Sequence, residues 1–198
     1  MTYEKEYFQN KISDGMVLIL EGLGEDLNRQ GLLRTPMRFA KACEEWFDGY
    51  NYSEDAVKLM LTRQFDESEK YDELIIEKDI EFMSHCEHHF APFFGKVHIG
   101  YLPKNGRVVG LSKLARVVNI YSRRLQLQER MTQQIAEALW KYIDIEGCIV
   151  VSANVHHVCM STRGVKNHSA NCTMSAVRGV FKEQKHPIRM EFYAALKL

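Results

Sequence analysis

LIIEKDIEFMSHCEHHFAPFFGKVHIGYLP, residues 74–103, is the stretch on which the fold turns. Leu74, Ile76, Ile80 and Phe82 mark an extended segment that ends just before a histidine cluster. Phe94, Val97, Ile99 and Tyr101 mark a second strand, closed by Pro103 and an Asn105-Gly106 turn. Downstream, residues 112–119 and 125–142 read as helices. In the second, Met131, Ile135, Leu139 and Tyr142 recur at helical spacing and form one apolar stripe. Gly147 breaks it. Ile149, Val150, Val151 and Val155 then give a buried strand that runs into a second cluster, His156-His157-Val158-Cys159. A last strand covers roughly 172–181, and Pro187 opens a terminal helix. Upstream the chain is helical in pattern. Thr35 before Pro36 places a capping hydroxyl ahead of a proline at the first helical position. That helix carries Arg38, Lys41, Trp46 and Phe47 and stops near Gly49, and Ser53 caps a third, short helix. Two hairpins separated by a helical pair imply an α+β fold: an antiparallel sheet with helices on one face. The expected division is a helical region over 1–66 and a sheet-bearing catalytic region over 67–198, working as one unit.

The bulk composition narrows the function. The chain has 198 residues, 45% hydrophobic and 26% charged, enough for a substantial core. Lys+Arg and Asp+Glu are both 26, so no global basic field attracts nucleic acid or an anionic membrane. No apolar run approaches the length of a membrane span. The first residues are charged and lack a signal-peptide core, so the expected location is the cytoplasm. The five cysteines are odd in number and dispersed, which reads as thiols, some of them metal ligands, rather than a disulfide framework.

Five of the eight histidines fall in the two clusters. Cys86 and His89, three apart, with Cys159 far along the chain, make a three-ligand zinc set that leaves a fourth position for water. A structural four-ligand site, with Cys172, His85 or His156 as the fourth member, is the alternative. His88 and His157 are surplus to the ligands, and an imidazole beside a metal-bound water suits proton transfer or support of the ligands. Gly110-Leu-Ser-Lys-Leu-Ala-Arg116 opens a helix with Ser112 at its capping position. Its free N–H groups, with Lys113 and Arg116 on one face, suit a phosphate. Arg107, Arg123, Arg124 and Arg130 extend the basic run, which by itself also fits a solvated face. Glu129, next to Gln128, has a carboxylate able to accept two N–H bonds from a guanine edge. A charged first helical turn matching the helix dipole reads equally well there.

Taken together, Cys86-Glu-His-His89, Pro92-Phe-Phe-Gly-Lys-Val-His98, Gly110 to Arg116, Arg123-Arg-Leu-Gln-Leu-Gln-Glu-Arg130 and His157-Val-Cys-Met-Ser-Thr-Arg-Gly164 resemble the zinc-dependent GTP cyclohydrolase I family, in order from about residue 35 to 195. The resemblance implies a tunnelling fold, a four-stranded antiparallel sheet with helices on one face. It implies a homodecamer of two pentamers, with active sites at subunit boundaries and one zinc per subunit. The implied reaction is hydrolysis of GTP to 7,8-dihydroneopterin triphosphate and formate, the first step toward pterins and folate. Cys86, His89 and Cys159 would hold zinc. His157 would protonate N7, His88 would serve a second proton transfer, and Ser112 would act near the ribose. Lys113, Arg116 and Arg163 would hold the triphosphate with Arg38 and Lys41, and Gln128 and Glu129 would read guanine. Position 156 is histidine where relatives usually carry another residue, often acidic. The loop Lys166-Asn-His-Ser-Ala-Asn171 also departs from the usual pattern. The short N-terminal arm resembles bacterial members without a long regulatory extension, which puts in doubt the feedback partner of animal relatives. Two rival expectations are a zinc-stabilised assembly protein without catalysis and an enzyme acting on a related pterin or deazapurine.

Overall fold

The computed structural model describes residues 5–66 and 71–197. The helices α1 (Lys5–Gly22) and α2 (Thr35–Trp46) pack on each other, and a 3₁₀ turn (Asp48–Asn51) leads to α3 (Glu54–Leu61). Ser53 caps α3 as expected, its Oγ accepting the Ala56 N–H at 3.2 Å. Thr35 does not cap α2. Arg34 holds that position, and the Thr35 hydroxyl instead donates back to the Gly31 carbonyl at 3.3 Å. Next, β1 (Gln64–Asp66) pairs antiparallel with β4 (Arg107–Val109), on either side of the hairpin of β2 (Ile75–Cys86) and β3 (Pro92–Pro103). The remainder runs α4 (Leu111–Ser122), β5 (Leu125–Gln126), α5 (Gln128–Tyr142), β6 (Ile145–His157), α6 (Val158–Ser161), β7 (Cys172–Gly179), a 3₁₀ turn (Val180–Lys182) and α7 (Pro187–Leu196). No described helix is long and apolar enough to cross a membrane.

The result is a mixed α+β fold whose main sheet has the order β5-β2-β3-β6-β7. The four long strands are antiparallel neighbours, as the sequence implied. The sheet is nevertheless five-stranded, because Leu125 and Gln126 are extended and pair parallel with His85 and Cys86. The helix expected from 125 therefore starts only at Gln128. The second correction concerns the faces. Strand residues of even and odd register enter two different cores. Tyr101, Ile99, Cys148 and Val150 join Leu114 and Val118 of α4 and Ile135 and Leu139 of α5, with Val57 and Leu61 of α3. Ile149, Val151 and Ala153 join Phe181 and Phe192, so α7 covers part of the opposite face. A Cβ on Gly100 would fall 2.5 Å from the Phe192 ring, which is why the strand is bare there.

Two backbone irregularities are tightly held. The pairing of β2 with β3 slips between Glu77 and Ile80, and Asp79 takes the left-handed φ of 61°. The buried His98 imidazole accepts the Asp79 N–H on Nδ1 at 3.1 Å, and Lys96 pairs with the Asp79 carboxylate at 2.8 Å. Gly179 ends β7 at φ 59°, and a Cβ there would lie 2.1 Å from the Glu146 carbonyl oxygen. Gly179→Ala combines a left-handed backbone with that backbone collision, so it should destabilise the protein by about 2 kcal/mol or more, read as a fall in melting temperature. Burial holds the His98 pKa below its ordinary value of 6.5, against the opposing pull of Asp79. The unfolded chain thus binds this proton more readily, so the His98 contribution is complete above about pH 6.5 and is lost as pH falls from there toward the folded pKa. Urea titrations between pH 7.5 and 5 should show His98→Gln with a shallower acid loss than the parent.

Candidate active site

The first ligand-bearing turn is built by backbone hydrogen bonds. Cys86, the last residue of β2, donates its N–H to the Ala91 carbonyl at 2.8 Å, and its own carbonyl accepts the Phe90 N–H at 2.8 Å. Phe90 takes φ 57°, a left-handed turn position for a non-glycine residue. The tight turn carries His89 back toward the strand, and His89 Nδ1 lies 3.9 Å from Cys86 Sγ. Cys159 arrives from the other side, in the single turn α6 that follows β6. The donor atoms of Cys86, His89 and Cys159 all lie within 4.8 Å of one another. Tetrahedral zinc with bonds of about 2.0–2.3 Å places neighbouring ligand atoms about 3.6–3.8 Å apart, so the group fits zinc with small closure. Two thiols and an imidazole also suit that metal chemically. Burial and the adjacent Cys86 push the Cys159 thiol up, so the proton it loses on metal binding is held tightly here.

His157 stands beside this group with a fixed tautomer. Its ring stacks on Phe93 at 4.9 Å and 9°. Its Nε2 meets the Gln128 side-chain oxygen at 2.9 Å. The Gln128 amide nitrogen donates to Ser152 Oγ at 2.9 Å and to the Ser152 carbonyl at 3.3 Å, which leaves the oxygen as the acceptor. His157 therefore carries its proton on Nε2 and leaves Nδ1 with the lone pair. Burial lowers its pKa, with the Glu129 carboxylate pulling the other way, so the ring is neutral at neutral pH. Ser152 Oγ also meets Thr132 Oγ1 at 2.9 Å, and Thr132 donates to the Gln128 carbonyl at 2.7 Å. Sequence reading missed this support. Its trace was a polar Ser152 inside the apolar run Ile149-Val-Val-Ser-Ala, and Thr132 one turn after Gln128.

The other expected residues divide into two groups. Arg163 joins the metal group, its guanidinium donating to His89 Nε2 at 2.7 Å, so Nδ1 is the atom turned to the thiols. His88 is exposed, with its ring 6.1 Å from that of His89. Glu129 is exposed at the start of α5. Gln128 is 2% exposed, and its amide serves His157 and Ser152. Arg130 clasps Glu87, between Cys86 and His88, and donates to Gln126 at 3.0 Å, tying the α5 start to the ligand turn. In contrast, Ser112, Lys113 and Arg116 sit in the first half of α4. Ser112 is not its cap. Gly110 is, and Ser112 is exposed within the first turn. The far end of α4 adjoins the ligand turn, where Ser84 donates to the Arg124 carbonyl at 3.2 Å. The helix rise puts Ser112 about 15 Å from that end. Lys113 reaches the Arg63 carbonyl there. Arg38 and Lys41 are exposed on α2.

Two thiols and an imidazole converge at one end of a mixed α+β sheet as a group that could hold a metal ion, with a neutral histidine close by in sequence. The model of the family described as GTP cyclohydrolase I matches residues 12–197. The GTP cyclohydrolase 1 of Clostridium perfringens is 48% identical over 177 residues, covering 89% of this chain and 92% of that protein. That of Clostridium kluyveri is 44% identical over 191 residues, 96% and 98% of the two chains. That of Desulforamulus reducens is 49% identical over 175 residues, 88% and 90%. The chain belongs to the GTP cyclohydrolase I family.

Metal analysis after dialysis against zinc should find one ion per chain, and Cys159→Ala should abolish that stoichiometry. Because the thiols must shed protons, zinc affinity measured against a competing chelator should fall by more than about tenfold per unit as pH drops from 8 to 6.

Proposed function

We propose that this chain opens the imidazole ring of GTP at C8 and closes it again as 7,8-dihydroneopterin triphosphate, releasing formate. The observation that carries the reading is the Cys86, His89 and Cys159 group beside a tautomer-locked His157. Zinc held by those three residues would leave one position for water and lower that water's pKa. Among the described residues the group has three members, which favours an open position over a closed structural site. His157 presents the unbonded Nδ1 edge of a neutral ring, and Gln128 and Phe93 fix its plane. It can take up a proton and pass it to N7 of the purine, which makes C8 electrophilic. His88, exposed one residue from His89, would serve the second proton transfer as the ring opens. Glu129 offers the carboxylate that reads the guanine edge. Gln128, whose amide is engaged inward, would act by orienting His157. Arg163 would take a substrate phosphate in place of its present acceptor, since a His89 bound to metal through Nδ1 carries its proton on Nε2.

The same reading includes the tunnelling fold and assembly into a ring of copies, two rings making a decamer. The supporting features are open edges and bare apolar surface. Among the described residues β7 has no strand on its outer side, and β2 has only the two residues of β5. Such edges pair with other chains unless protected. Leu18, Ile19, Leu23 and Leu33 are all more than half exposed on the N-terminal helices and their connection. With Ser112, Lys113 and Arg116 at the remote end of α4, a complete site draws its phosphate-binding half from a neighbouring copy. Ser112, in that half, would act near the ribose.

Zinc-loaded protein incubated with GTP should yield formate and, after oxidation, fluorescent neopterin. No product would sink the proposal. Cys159→Ala and Arg116→Ala, each inactive alone, should regain activity when dissociated and reassembled together. Failure of that mixing, with both variants assembled, would confine each site to one chain.

A further inference from the structure

Two histidines of the opening clusters, His85 and His156, belong neither to the ligand set nor to the proton-transfer pair. We propose that they are positioning residues, each bracing one of the two ligand-bearing turns from behind.

His85 precedes Cys86 and is 4% exposed. Its ring lies 5.1 Å from Trp46 and 5.0 Å from Phe47, at the end of α2, and 5.9 Å from Phe90. Phe47 and Phe90 are themselves 5.3 Å apart. Phe90 is the residue whose left-handed backbone closes the Cys86–Ala91 turn. Among the described residues His85 Nδ1 has no hydrogen-bond partner, and the ring's contacts are with the three aromatic rings around it. A flat ring wedged among three others fixes Phe90, and with it the return of His89 toward Cys86.

His156 works by a hydrogen bond. Its Nε2 lies 3.2 Å from Ser161 Oγ. The Ser161 hydroxyl proton is directed to the Val158 carbonyl at 3.2 Å, so Ser161 accepts and His156 donates. Ser161 is 5% exposed and ends α6, the turn that holds Cys159. The contact therefore spans Cys159, joining the end of β6 to the end of α6. Phe94, paired with His156 across β3 and β6, packs its ring at 5.5 Å and limits where the imidazole can go.

A brace that acts on ligand geometry changes how long the metal stays, and a flat ring or a hydrogen-bond donor of similar reach replaces it. The test is the rate at which zinc-loaded protein releases its metal to a chromophoric chelator, measured well below the melting temperature. His85→Ala and His156→Ala should release zinc about tenfold faster or more, on the scale of other residues that orient metal ligands. His85→Phe and His156→Gln should stay within about threefold of the parent. His156 is only half-buried, so its alanine variant does not empty the core. If His85→Ala fails to fold, His85→Leu fills the same space without a flat ring and should also release zinc fast. Parental release rates in the alanine or leucine variants overturn the proposal. So do Phe and Gln variants no better than alanine. The inference rests on the metal-site reading: a parent chain that holds no zinc overturns both, whereas a parent that holds zinc with unaltered variants overturns this one alone.

Discussion

The register of β3 against its two neighbours is the constraint on which the site depends. His85 pairs with Pro92 on one side, and Phe93 pairs with His157 on the other. Those pairings bring two segments remote in sequence to the same end of the sheet. A slip of one residue would turn Cys86 and His157 to the opposite face and exchange the two cores, since side chains alternate along a strand. The register is therefore secured by burial on both faces. Phe93, Val97, Ile99 and Tyr101 are essentially inaccessible on one side, and Gly100 accepts Phe192 on the other. Slippage would put this apolar surface in the wrong layer, at about 1.5–3 kcal/mol for each large side chain exposed.

Within that frame one buried polar network bears on the site. Gln128, Thr132 and Ser152 are all nearly inaccessible, and each has its polar atoms engaged. Buried groups of this kind are costly only when unpaired, so the network survives because it is complete. Its output is a single fact about His157, the position of its proton. A leucine at 128 would preserve the packing of α5 but release the imidazole to rotate or change tautomer. The proposed chemistry would thus lean on a glutamine whose side chain is turned inward, away from solvent.

Much of this was legible in the sequence. Period-two apolar positions gave β2 and β3, a continuous apolar run gave β6, and the stripe at Met131, Ile135 and Leu139 gave α5. The ligand candidates stood out because cysteine and histidine at short spacing are chemically unusual. Other features depend on tertiary contacts that leave no local mark. Leu125 and Gln126 continue a helical pattern, but pairing with His85 and Cys86 holds them extended. Pro187 announced a helix, but nothing in its own sequence says that Phe192 seeks the sheet face opposite α5. Ser112 looked like a cap because Ser-x-x-helix is a common start. Gly110 takes that place, since β4 enters the helix two residues earlier.

The placement of α4 bears on how such a protein works once the proposed reading is accepted. One end of the helix is tied to β2 just before the ligand turn, where Ser84 donates to the Arg124 carbonyl at 3.2 Å, and to Gly49, whose carbonyl accepts from Arg124 at 2.8 Å. The other end carries Ser112, Lys113 and Arg116. A helix is a rigid spacer, so these two ends cannot approach each other within one chain. In the proposed reading, a purine at the metal group and the triphosphate of the same nucleotide would be held by residues of different copies. In that reading catalysis and assembly would be one property, because separating the copies would remove the phosphate-binding half of every site.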